Sequence, residues 1–166
     1  LSGQGLMNEG WNSNRLGLRG APAASEEIAV SRDIVLARHT KGRLHLQPVT
    51  TAGSLSAIRH AKSQGVAVTA ETCPAYFTLT SDTIATYDAN YKVLPPLRSE
   101  EDLEAVIEAL ADGTIDAISS GHTPQSRSAK EQAFENSAPG MVGLETAFHL
   151  ALSLVKKKKI TLTRMV

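Results

Sequence analysis

Thr114-Ile115-Asp116-Ala117-Ile118-Ser119-Ser120-Gly121-His122-Thr123-Pro124-Gln125 is the stretch whose reading decides the fold. The apolar run Ile115 to Ile118 has the length and bounds of a buried strand. It stops in small polar residues, a glycine, a histidine and a proline. In α/β proteins, the carboxyl end of a strand is where chemistry is placed. This strand exit is therefore the first candidate for an active site.

Outward from this stretch the chain alternates helix and strand. Upstream, Ser99 with Asp102 has the form of a capping box. Behind it Leu103, Val106, Ile107 and Leu110 fall at i, i+3, i+4 and i+7, and Gly113 ends the helix. Lys92-Val93-Leu94-Pro95-Pro96-Leu97-Arg98 is extended, because each proline disfavours helix in the residue before it. A short helical turn is expected near Ser81 to Thr86. Val66 to Ala70 reads as a buried strand leading into Glu71-Thr72-Cys73-Pro74-Ala75-Tyr76.

Before it comes a helix capped by Thr51 or Ser54, with Leu55 and Ile58 inward, ending at Gly65. Arg43 to Val49 reads as a strand with Leu44, Leu46 and Pro48 on one side and His45 and Gln47 on the other. Ser25 is placed as the cap of an earlier helix with Ile28, Val35 and Leu36 on its buried side and Gly42 as its stop. Residues 1 to 25 read as loop. Downstream, a short charged helix is expected over Ser128 to Phe134, a turn at Pro139-Gly140, and a helix from Leu144 to Val155. Ile160 to Val166 begins an element that the chain does not finish.

Alternation of this kind means parallel strands joined by right-handed crossovers. Doubly wound sheets and β/α barrels both fit it. No Gly-x-Gly-x-x-Gly and no Gly-Lys-Ser/Thr follows a strand, so nucleotide binding of the Rossmann or P-loop kind has no support. The chain has 166 residues, whereas a full barrel needs ~250. With three clear strands and a loop-like opening, it reads as a piece of a longer protein.

Acidic and basic residues balance at 17 each, which favours neither nucleic acid nor an acidic membrane surface as partner. Lys156 to Lys159 is read as a solvated helix end. Cys73 is the sole cysteine, so an internal disulfide is excluded and a cytoplasmic setting is expected. No apolar run approaches the ~20 residues of a membrane span.

Several segments together resemble the dihydroorotases of the cyclic amidohydrolase superfamily. These are Met7-Asn8-Glu9-Gly10, Arg15-Leu16-Gly17-Leu18, Pro22-Ala23 with Glu26 to Asp33, and Val68-Thr69-Ala70-Glu71. They continue in Lys92-Val93 with Pro95-Pro96-Leu97-Arg98, Asp112 to Ile118, and Gly143-Leu144-Glu145-Thr146. The resemblance covers nearly the whole chain, in the family's order. It implies an α/β fold: part of a metallo-dependent hydrolase, TIM-like β/α barrel spanning residues 1–166 and lacking the N-terminal strands with their His-x-His metal motif.

The chemistry it implies is zinc-assisted interconversion of carbamoyl aspartate and dihydroorotate, with an aspartate as proton shuttle. At the positions where the family carries its two further metal-binding histidines and its catalytic aspartate, this chain has Pro48, Ala75 and Gly121. None has a side chain that can bind zinc or carry a proton. A family asparagine is Leu94, the last histidine of the strand-end motif is Gln125, and the Pro-Phe-Gly turn is Ala138-Pro139-Gly140.

The resemblance thus points to the silent, dihydroorotase-like members, some of them partners of aspartate transcarbamoylase. The expectation is a non-catalytic scaffold or regulatory protein with no cofactor, pairing with that enzyme or with itself. The alternative is an active zinc amidohydrolase, with ligands from the missing N-terminal half and substitutes such as Glu71, His122 or Cys73. Pocket candidates are Glu71, Leu94, His122, Gln125, Pro139 and Gly140. His122 is read as bonded to loop backbone, His45 as buried and hydrogen-bonded, and Cys73 as a buried, unreactive thiol. His39, His60 and His149 are read as solvated helix residues. Arg98 is either a loop anchor or a substrate clamp.

Overall fold

The computed structural model describes residues 5 to 166. Its centre is a parallel three-stranded sheet, β3 (Leu44–Leu46), β4 (Val68–Thr72) and β5 (Ala117–Ile118), in that order. Leu44 pairs with Val68 and Leu46 with Ala70 on one side of β4, and Glu71 pairs with Ala117 on the other. The crossovers are α3 (Ala52–Ser63) and α4 (Glu100–Asp112).

The two faces of the sheet differ because strand side chains alternate. Val68, Ala70 and Thr72 are buried, and Thr69 and Glu71 on the other face are not. The buried face packs on the crossover helices through Leu55, Ile58, Val106 and Leu110. Each such side chain, removed from water, contributes roughly 1.5–3 kcal/mol.

The helix starts follow from side-chain capping. Thr51 accepts from the Ser54 backbone N–H at 3.3 Å. Ser99 and Asp102 form the expected reciprocal box, Asp102 N–H donating to Ser99 Oγ at 3.2 Å. Asp102 also accepts from Ala52 N at 2.9 Å, which ties the starts of α3 and α4 together. Gly113 closes α4 at φ 89°, a left-handed position that costs glycine little. The helical turn expected at Ser81 to Thr86 is a 3-10 helix over those residues.

Other expectations are corrected. Within residues 5 to 25 the structure has β1 (Met7–Asn8), α1 (Trp11–Leu16) and β2 (Gly20–Ala21), where loop was expected. Strands of two residues are too short for any periodic signal. The next helix, α2 (Ala23–Thr40), starts two residues before Ser25, with Pro22 at its N-cap, and ends at Lys41 rather than Gly42. Its buried side is Val30, Ile34 and Ala37. Ile28, Val35 and Leu36 are 52%, 61% and 53% exposed, because the face they share has no neighbour among the described residues.

β4 is shifted two residues beyond the expected Val66 to Ala70, and β5 holds only the last two residues of the run Ile115 to Ile118. Ile115 is fully buried ahead of the ladder. The charged helix is a single turn, α5 (Arg127–Lys130), and not the longer Ser128 to Phe134. Helix α6 (Leu144–Lys156) and the final turn α7 (Leu162–Met165) follow. Arg164 Nε fastens α7 to the end of α4 by donating to Leu110 O at 2.8 Å. No helix among the described residues is long and apolar enough to cross a membrane.

Candidate functional site

The carboxyl ends of β3, β4 and β5 open into a cavity of about 550 Å³. This lies within the size range of small-molecule sites. Pro48, Ala75 and Gly121 all line it. The fold therefore brings together, from three separate strand exits, the three positions at which the family resemblance implies metal ligands and a base. A second cavity of about 800 Å³ adjoins it, lined by Glu26, Asp33, Arg98 and Pro139 among others. The two share Gln47, Pro48, Val93 and Leu94.

Gly121 explains itself in this setting. Its φ is 62°, in the left-handed region, and a Cβ built there would stand 2.6 Å from Cys73 Sγ and 2.9 Å from Cys73 Cβ. Cys73 thus fills the space that any side chain at 121 would require. The thiol is only 7% exposed, and burial pushes its pKa up to about 11. It is the protonated, unreactive form at neutral pH.

His122 is held by loop backbone. The N–H groups of Gly143 and Leu144 both donate to its Nδ1 at 3.2 Å. An Nδ1 that accepts leaves the ring proton on Nε2, where it is a donor and not a ligand lone pair. His122 does not line either cavity. Gln125 is exposed and lies outside both cavities, with its amide beside Gly140.

Glu71 lines the first cavity from the end of β4. His45 stands beside it, Nε2 3.2 Å from Glu71 Oε2 and Nδ1 2.9 Å from Thr69 Oγ1. His45 is hydrogen-bonded as expected but not buried, since it projects from the open face of the sheet. Leu94 is 64% exposed at the rim. His39, His60 and His149 are solvent-exposed.

Two charged residues position the walls. Arg98 is an anchor: it donates to Thr50 Oγ1 at 3.0 Å, Asn8 Oδ1 at 3.0 Å and Ala21 O at 3.3 Å, and reaches Glu26 Oε2 at 3.4 Å. Glu26 in turn accepts from the N–H groups of Thr50 and Thr51. This buried cluster joins the small β1–β2 pair, the start of α2 and the exit of β3. Lys92 was not singled out from sequence. Its ammonium donates to the carbonyls of Phe134, Glu135 and Ser137 at 2.7, 3.0 and 2.8 Å, and burial lowers its pKa. Its own carbonyl accepts from Gly140 N at 2.8 Å. Lys92 therefore holds the Pro139-Gly140 turn in place. The one signal available was its position just before Pro95-Pro96, where a side chain must find its partners away from regular structure.

These residues do not fit zinc. Among those described, no group of three His, Cys, Asp or Glu side chains stands together to hold a metal ion.

No family model matches the chain. Over 161 residues, 97% of its length, it is 53% identical to a dihydroorotase of Syntrophobacter fumaroxidans, covering 37% of that protein. To a dihydroorotase of Ruminiclostridium cellulolyticum it is 48% identical over 167 aligned positions, covering 39% of that protein. Over its whole length the chain is similar to curated dihydroorotases at about half identity. It spans about two fifths of the length of these curated relatives. Among solved structures, L-hydantoinase (dihydropyrimidinase) from Arthrobacter aurescens superimposes with a TM-score of 0.82 at 30% identity, over 89% of this chain and 34% of that one. Dihydropyrimidinase from Brevibacillus agri gives 0.81 at 26% identity, over 87% and 33%. The β3–β4–β5 sheet and its helices are thus part of the metallo-dependent hydrolase β/α barrel. In this chain the cavity lies at the strand ends, where that barrel places its chemistry.

Proposed function

We propose that this chain belongs to a catalytically silent dihydroorotase homologue of pyrimidine biosynthesis. The protein uses the barrel as a scaffold or regulatory subunit, with aspartate transcarbamoylase as its partner. One observation carries this reading. Pro48, Ala75 and Gly121 converge on a single cavity, and Cys73 occupies the space that a side chain at 121 would need. A site that had lost one ligand could be adapted. A site with no donor at three convergent positions and a thiol packed into the base's place has lost the machinery of cyclic amide hydrolysis. A fold kept without its chemistry retains its surfaces, and a subunit contact is the use those surfaces support.

The second reading is an active zinc amidohydrolase with substitute ligands. Glu71 favours it, since its carboxylate lines the cavity. His122 and Cys73 count against it, the first through its occupied Nδ1 and the second through its buried thiol.

The deciding experiment is elemental analysis for zinc on the full-length protein, with dihydroorotase assays in both directions and gel filtration with aspartate transcarbamoylase. The expected result is substoichiometric zinc, no turnover and a stable complex with the transcarbamoylase. Stoichiometric zinc with turnover would overturn the proposal in favour of the second reading. Inactivity with association only to itself would replace the named partner.

A further inference from the structure

Lys156 to Lys159 are exposed, as read from the sequence, and the fold gathers them around a recess. They end α6 and form the turn into α7. The recess has a volume of about 410 Å³ and is lined by Ala111, Val155, Lys158, Lys159, Ile160 and Thr161. Ala111 lies in the last turn of α4, ahead of β5, so the recess sits at the amino end of the sheet. It shares no residue with either cavity at the strand exits.

The charge around it is unbalanced. Among the described residues, Lys159 alone of the four has a carboxylate in reach, Glu104 Oε2 at 3.2 Å, and that pair is exposed. The carbonyl end of α6 attracts a cation, which accounts for Lys156 in its last turn. It does not account for three further ammoniums at consecutive positions, since like charges so close repel one another. A cleft bordered by one sign of charge concentrates the opposite ion. The remaining wall offers both kinds of neutral contact. Thr161 Oγ1 accepts from Arg164 N at 3.2 Å and keeps its own proton to donate, while Ala111 and Val155 form an apolar floor.

From this we infer that the recess binds a small molecule carrying a chain of phosphates, held by Lys158 and Lys159 with Lys156 and Lys157 adding to the field. A single carboxylate would leave most of the positive charge unmatched. A long polyanion needs an extended basic surface. Here the basic run is one turn long, in a chain whose acidic and basic residues balance at 17 each. Inorganic polyphosphate and the triphosphate of a nucleotide share the required chemistry, and a nucleotide would add contact between its base and the floor. A β/α barrel places its chemistry at the carboxyl ends of the strands. A ligand at the opposite end is therefore an effector and not a substrate, whether or not the strand-end cavity is silent.

The test is calorimetric titration of inorganic tripolyphosphate, and separately of a nucleoside triphosphate, into the full-length protein in buffer free of divalent ions. The expected result is one site, weakened at least about tenfold in ~0.5 M salt. Lys158→Gly is expected to weaken it at least about fivefold. The same variant should keep or raise the melting temperature, because Lys158 holds φ 58°, a left-handed conformation that suits glycine. Lys41→Gly makes the same exchange at φ 55°, at the end of α2, and should leave binding unchanged. Tighter binding of the nucleotide would name it as the source of the phosphates, and equal or weaker binding would name the free phosphate chain. No binding, several weak sites, or binding that Lys158→Gly spares or Lys41→Gly weakens equally overturns the inference.

Discussion

Gly121→Ala puts a methyl group where the fold has no room for one. Two costs add. A non-glycine residue held at φ 62° is disfavoured by roughly 1–2 kcal/mol. The new Cβ would also lie 2.6 Å from Cys73 Sγ and 2.9 Å from its Cβ, an overlap that must be relieved by moving a buried thiol. Overpacking of this kind costs about 1–3 kcal/mol. The expected destabilisation is therefore roughly 2–5 kcal/mol.

The two parts can be separated in a double-mutant cycle. Cys73→Gly removes both overlapping atoms and leaves the backbone cost untouched. In that background Gly121→Ala should cost only the roughly 1–2 kcal/mol of the left-handed conformation. The assay is urea denaturation of the full-length protein and its three variants, followed by fluorescence and circular dichroism. An equal cost for Gly121→Ala in both backgrounds would refute the packing of Cys73 against Gly121. Gly121→Asp alone cannot seat a carboxylate at the strand end while Cys73 stays where it is.

Other perturbations have outcomes that follow from the contacts described. Arg98→Ala leaves Glu26 buried without its cation and should destabilise by about 3–5 kcal/mol in denaturation experiments; a loss under about 1 kcal/mol would count against the anchor role. Cys73 has its folded-state pKa raised by burial from its usual 9.0 to about 11, so its contribution is fully present below pH 9 and is lost as pH rises toward 11. Stability should fall by roughly 3 kcal/mol more over that window than in Cys73→Ala, and maleimide labelling of the native protein at neutral pH should be slow. Lys92→Met leaves three carbonyls without their shared donor, and limited proteolysis should then cut between residues 130 and 140, where the parent resists. Residues 1–166 expressed alone should associate in gel filtration, because β3 and β5 have free edges and Ile28, Val35, Leu36 and Phe148 are exposed.

Much of the architecture was readable one segment at a time. The helix with Leu103, Val106, Ile107 and Leu110 announced itself because capping and periodicity are local, and Ser99 and Gly113 mark its ends within one turn of chain. The resemblance to dihydroorotases rested likewise on short segments in order. Local pattern failed where the deciding neighbour is distant in sequence. The apolar residues of α2 occur all round the helix, so Ile28, Val35 and Leu36 were as good a buried stripe as Val30, Ile34 and Ala37 until α3 chose between them. His45 alternates with apolar neighbours in either case, and only the open face of the sheet decided that it meets Thr69 and Glu71 in contact with solvent.

By itself, then, the sequence determined the alternation of helix and strand from α2 onward, the caps of α3 and α4, and the absence of donor side chains at Pro48, Ala75 and Gly121, since each depends on the identity of a residue or its near neighbours. Only the tertiary structure decided that these three positions share one cavity, that Cys73 stands against Gly121, and that Lys92 and Arg98 hold the walls. Those contacts join residues 42 to 90 positions apart, and packing between distant segments, not any local pattern, brings them together.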